Sequence, residues 1–135
     1  MANTNLNAFL NPVAVENKEV IVSKRFLDEK GNPVPFVIRP ISHRENEMLM
    51  RKHRKRDSKG EYVRHDLYVA EMVATAVVSP DLNDERLQKQ YGLGKEKCLS
   101  NMLFTGEYSQ LAEEVMKLSG LDEDFNDMID DVKNV

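Results

Sequence analysis

The stretch EVIVSKRFLDEKGNPVPFVIRPISHRE, residues 19–45, decides the fold, because a strand signature, a turn, a second strand and a helix start follow one another within it. Glu19–Phe26 alternates, with Val20, Val22 and Phe26 on one face, the period of a half-buried strand. Asp28-Glu-Lys-Gly-Asn-Pro33 is turn chemistry, and Phe36-Val-Ile38 returns as a second β-rich run. Pro33, Pro35 and Pro40 cannot donate ladder hydrogen bonds, which limits this second strand to an edge or a short pairing. Ser42-His-Arg-Glu45 then matches the capping box that opens a helix, the serine accepting from the third amide and the glutamate reaching back.

Downstream the chain reads helical. The first helix runs to about His53 and meets a charged, glycine-containing break at Arg54–Gly60. Val63–Val78 is apolar nearly all round, which predicts a central buried helix and makes Leu67 and Val73 core positions. Ser79-Pro80 stops it. Asn83-Asp-Glu opens a short helix that ends at Gly92, and the next helix places Cys98, Leu99, Met102 and Leu103 on one face. Thr105–Ser119 points Tyr108, Leu111, Ala112, Val115 and Leu118 inward and closes on Gly120, and Asp122 can cap a last helix carrying Phe125, Ile129 and Val132. Upstream, residues 1–17 are rich in Asn and Ala with scattered apolar side chains, the composition of a flexible arm with Phe9 and Leu10 as a docking point. The expectation is one α+β domain over residues 18–135, a hairpin over 18–40 followed by five to six short helices over 42–134.

Function classes fall away one by one. The 135 residues carry a net charge of −4, so the whole molecule has no general attraction for nucleic acid or an anionic membrane. One cysteine, Cys98, suits a reducing compartment. The N-terminus lacks a basic start and an apolar core, and the longest apolar run is too short to span a bilayer, so a cytoplasmic protein is expected. His43, His53 and His65 lie too far apart for zinc-ligand spacing and read as surface or helix-flanking residues. Cys98 has no glycine-rich elbow or adjacent base, and on the stripe with Leu99 and Met102 it behaves as a small hydrophobe. Gly92-Leu-Gly-Lys95 lacks the spacer and hydroxyl of a phosphate loop and follows a helix, so its glycines read as a helix stop and a turn. The acids near the C-terminus lack the central glycine and alternating ligands of a calcium loop. No cofactor, metal or catalytic residue is expected.

Charge is distributed unevenly. Eight bases stand between His43 and His65 against four acids, densest in Arg51-Lys-His-Arg-Lys-Arg56, whereas Glu107–Val135 holds nine acids against Lys117 and Lys133. A basic loop of this kind can steer an acidic protein partner. The alternative is a small nucleic-acid-binding regulator using Arg51–Arg56, although no aromatic residue interrupts the run for base stacking.

The hairpin return Pro35-Phe-Val-Ile-Arg-Pro-Ile-Ser42, then Gly94-Lys-Glu-Lys-Cys-Leu-Ser-Asn-Met-Leu103, Thr105-Gly-Glu-Tyr108, Leu111 and Asp131-Val-Lys-Asn134 form an ordered series. Over residues 18 to 134 this series resembles the XkdN-like phage tail assembly chaperones. The resemblance implies a product of a contractile-tailed phage or prophage. It would bind the tape measure protein, keep it soluble, help recruit tail tube subunits, and leave before the virion is finished. It supplies no catalytic motif. The surfaces expected to meet such a partner are Tyr108, Leu111, Phe125 and Ile129 for apolar contact, and Arg51, Lys52, Arg54, Lys55 and Arg56 for steering.

Overall fold

The computed structural model describes residues 5–121. Two sheets and six helices are ordered along them as α1 (Leu6–Leu10), β1 (Lys18–Val20), β2 (Phe36–Ile38), α2 (His43–Lys52), β3 (Arg54–Asp57), β4 (Gly60–Val63), α3 (His65–Ala76), β5 (Val77–Ser79), α4 (Glu85–Tyr91), α5 (Lys95–Met102) and α6 (Thr105–Leu118). The class is α+β as expected. The C-terminal helix expected around Phe125 and Ile129 lies outside the described residues.

β1 and β2 pair antiparallel, Lys18 opposite Ile38 and Val20 opposite Phe36, with Val20, Phe36 and Ile38 turned into the core. The turn chemistry falls where the residues require it. Asp28 accepts from the Lys30 and Asn32 amides, and the Val34 amide donates to the Phe26 carbonyl at 2.7 Å. The hairpin is therefore wider than a simple two-strand reading, with its pairing split between the β1–β2 ladder and a tight distal tip.

The second strand is not at an edge. Val77 and Val78, read from sequence as the end of a helix, leave α3 and with Ser79 pair with β2, which becomes the centre of a three-stranded antiparallel sheet. β-branched Val77 and Val78 ahead of Pro80 disfavour helix, and the free edge of β2 accepts them. The prolines do not obstruct this, because Pro35 and Pro40 flank the three paired residues.

α3 is the hub, packed against α2, α5 and α6 as well as running into β5. Met72, Val73 and Ala76 are fully buried, and even Glu71 is buried. The predicted central helix is thus present over His65–Ala76 but shorter at both ends, since Val63 belongs to β4. Leu67 is the second correction. It is 42% exposed, because the first turn of α3 projects past the elements that cover the rest.

Three caps fix the helical register. The Ser42–Glu45 box is present, and Glu45 also takes both guanidinium nitrogens of Arg39 at 2.9 and 2.7 Å. Asp84 caps α4 by accepting from the Arg86 amide. α6 ends in a Schellman motif, Leu121 N–H to the Met116 carbonyl and Gly120 N–H to that of Lys117. Gly120 has φ +77°, a conformation that glycine adopts without strain. Cys98, Leu99, Met102 and Leu103 are buried together, and burial pushes the Cys98 thiol up. Gly92 and Gly94 do cap α4 and precede α5.

Met72→Ala is expected to cost about 2–5 kcal/mol, as for a fully buried side chain. Leu67→Ala should cost less than about 1 kcal/mol, near the range of surface changes. Chemical denaturation midpoints check both, and equal losses would contradict the burial pattern of α3.

Candidate functional site: a basic ribbon and an apolar groove

The basic run does not form a loop. Arg51 and Lys52 close α2, and Arg54–Asp57 is a β-strand paired with Gly60–Val63, Arg54 opposite Val63, Lys55 opposite Tyr62 and Arg56 opposite Glu61. Asp57 accepts from the Lys59 amide at 2.8 Å, and Gly60 at φ +124° lets the chain return in two residues. Both strands are solvent-exposed except Val63.

A buried carboxylate anchors the base of this ribbon. Glu71 on α3 meets Lys52 Nζ at 2.9 Å and His53 Nε2 at 2.9 Å, and Arg64 N–H closes the ribbon onto the His53 carbonyl. Burial alone would raise the Glu71 carboxyl, but the Lys52 and His53 hydrogen bonds outweigh it and hold it below its ordinary value. His53 is therefore a mostly buried pairing residue rather than a surface one. His43 pairs with Glu47 on the exposed face of α2, and His65 packs edge-on against Tyr68.

Among the described residues no carboxylate pairs with Arg51, Arg54, Lys55, Arg56 or Lys59. Elsewhere Lys18, Arg25, Arg39 and Arg86 each hold one. Positive charge without a close carboxylate is densest on the ribbon that projects from the hub, which also carries Asp57 and Glu61. Lys52 differs from its neighbours, being committed to Glu71.

The apolar positions fare differently. Leu111 is fully buried beside Ala112, Val115 and Met116, the stripe by which α6 packs on α3, and so it serves the core. Tyr108 is half-buried at a shallow hollow with Ser100, Leu103 and Thr105, and burial raises its hydroxyl pKa. Phe125 and Ile129 lie outside the described residues. The apolar surface that sequence reading missed is a groove of about 420 Å³ between the distal hairpin and α4. Leu27, Val34 and Pro35 form one wall, Leu87 and Tyr91 the other, and Phe36 and Met102 lie between. Phe26 meets Phe36 edge to face at 5.9 Å.

Arg25 holds the hairpin wall in place. Its guanidinium reaches Glu107 at 2.5 Å and the Met102 carbonyl at 3.1 Å, and it lies 4.4 Å from the Phe104 ring centroid. The Arg25 hydrogen bond, with help from Ser23 and the Phe104 amide, lowers the Glu107 carboxyl from 4.5 to about 2. The pair joins residues 82 apart in sequence.

The sequence profile of the Phage XkdN-like tail assembly chaperone proteins matches residues 6–133. The chain belongs to this family. Among its relatives, the phage-like element PBSX protein XkdN of Bacillus subtilis (strain 168) is 26% identical over 129 residues, covering 90% of this chain and 87% of the relative. Protein YqbN of the same strain is 25% identical over 129 residues, with the same coverage of each chain. The crystal structure of the protein YqbN shares the fold, with a TM-score of 0.72 at 23% identity, covering 84% of this chain and 94% of that one. The protein is thus a phage tail assembly chaperone by family, and no helix among the described residues is long and apolar enough to cross a membrane.

Arg25→Ala should free the hairpin wall, speeding limited proteolysis within residues 21–35 while α3 stays protected. Glu107, depressed in the folded state, contributes stability above its ordinary 4.5 and loses that contribution as pH falls toward about 2. Glu107→Gln should flatten that acid limb in a pH series of melts, and an unaltered limb would remove the clamp from the account.

Proposed function

We propose that the chain binds the tape measure protein in the host cytoplasm, holds it soluble, and helps recruit tail tube subunits before leaving the finished tail. The observation that carries this reading is the pair of unfilled surfaces on an otherwise internally satisfied domain, the groove beside Arg25 and the ribbon Arg54–Val63. A long helical client exposes an apolar seam that aggregates unless covered, and side chains from such a seam suit a groove lined by Leu27, Val34, Leu87 and Tyr91. Arg51, Arg54, Lys55 and Arg56 then act at long range. Unpaired surface charge raises the rate of encounter with an acidic segment more than it deepens the bound state. Tyr108 adds its exposed edge on α6.

Nucleic-acid binding by the ribbon has one feature in its favour, since Lys55 stands across from the exposed ring of Tyr62. Stacking on a ring beside cations is how single strands are held without sequence preference.

Co-expression should raise the soluble yield of a tape measure segment. Replacing Arg54, Lys55 and Arg56 together by Glu should slow association and weaken its salt dependence, with dissociation nearly unchanged. Stopped-flow kinetics over a salt series reads this directly. Kinetics untouched by the charge reversal would make the ribbon a solvated face. Oligonucleotide binding with a steep log–log salt slope, without binding of the tape measure segment, would favour the regulator instead.

A further inference from the structure

Two stretches of opposite charge stand at the two ends of α2. From Arg51 to Arg64 seven bases face only Asp57 and Glu61, whereas residues 122–135 carry six acids against Lys133. Lys52 and Arg64 are committed to Glu71 and Asp66. Among the described residues the other five bases hold no carboxylate. Like charges crowded on two short strands repel one another, and an acidic chain laid across them relieves that repulsion.

The acidic stretch is tethered within reach. The Ser119 hydroxyl accepts from the Ile41 amide at 2.9 Å, so α6 ends beside the start of α2. The ten residues of α2 then lead to the ribbon base, a rise of about 15 Å. At about 3.3 Å per extended residue, Asp127 lies within about 20 Å of Leu121 along the chain, and Asp130 and Asp131 extend about 10 Å further. That further reach is close to the length of the four-residue strand β3.

We infer that residues 122–135 dock on the ribbon of their own chain, setting Asp127, Asp130 and Asp131 against Arg54, Lys55 and Arg56, and cover it until a client displaces them. Such a cover regulates the ribbon as a steering surface, and in that respect it rests on the client-binding role proposed for the ribbon. Exposed ion pairs are individually weak, but a short tether supplies an effective concentration in the millimolar range. The cover therefore outcompetes dilute, weakly acidic surfaces and yields to a client that also fills the groove.

Zero-length carbodiimide coupling on the full chain tests the cover without any client, because it joins a carboxylate to an amine only where they touch. Lys55 and Lys59 are exposed amines on the ribbon. Peptide mapping should find them joined to Asp127, Asp130 or Asp131 at low salt. The links should vanish at about 1 M salt, where the Debye length is about 3 Å. An equal mixture of isotope-labelled and unlabelled chain should show links within single copies only. Replacing Arg54 and Arg56 by Glu, which keeps both reporter amines, should cut the links at least about fivefold. Asp127→Asn, Asp130→Asn and Asp131→Asn together should speed association with fluorescent polyglutamate at least about threefold at low salt. The wild-type links decide the matter even if a variant melts early. Absent links, links between copies, links indifferent to the Arg54 and Arg56 reversal, or unchanged polyglutamate kinetics in the folded triple variant each overturn the inference. A tape measure segment that fails to bind while the links form overturns the client reading instead.

Discussion

Burial of α3 beyond its first turn is the constraint on which the rest of the molecule depends. Met72, Val73 and Ala76 are inaccessible, and α2, α5 and α6 each pack on this one helix. Short helices of seven to fourteen residues have little stability alone, so their shared contact with a central element is what makes them persist. The chain leaves α3 directly into β5, and the Arg39 amide donates to the Ala76 carbonyl at that junction. The helical layer and the sheet are therefore fastened by continuous backbone rather than by side-chain packing alone. Lys18–Glu114 and the Ser119 hydroxyl on the Ile41 amide close the far side, tying α6 back to β1 and to the start of α2.

The same helix positions both surfaces. Glu71 projects from α3 to Lys52 and His53, so the ribbon begins from a fixed point although its strands pack on almost nothing. An isolated two-stranded ribbon is marginal in water, and this one borrows order from its base. Removing the partners of a buried carboxylate leaves it desolvated and unpaired, which is far more costly than losing a surface pair. At the opposite end β5 runs on through Ser79 and Pro80, which contribute to the groove.

Local chemistry was legible in the sequence and non-local chemistry was not. The capping box at Ser42, the turn at Asp28–Asn32, the helix stop at Gly120 and the buried stripe Cys98–Leu103 each depend on residues a few positions apart, and all are present. Val77 and Val78 read as helix because an apolar run is equally compatible with either state, and only the free edge of β2, some forty residues earlier in the chain, decides between them. The ribbon Arg54–Val63 shows no hydrophobic alternation, so its charges masked a strand pairing that Gly60 makes possible. His53 read as a surface or helix-flanking residue, and it does close α2, but its pairing was hidden because its partner Glu71 lies 18 positions away. Leu111 was legible as an inward residue of α6, and its full burial takes it out of partner contact. The groove is assembled from four separate segments, none of which has a motif; the only local hint was the exposed apolar pair Leu27 and Val34 flanking a turn.

Family membership gives the role in tail assembly, and the structure offers the places where a client could be held. The central claim is that the groove and the ribbon, rather than the buried face of α6, meet the tape measure protein. Hydrogen–deuterium exchange on the full chain, with and without a tape measure segment, tests this most directly. Bound client should slow exchange at residues 26–36 and 85–91 around the groove and at 54–63 in the ribbon, leaving 111–116 unchanged because it is already protected. Protection that appears elsewhere and spares both the groove and the ribbon would contradict the account.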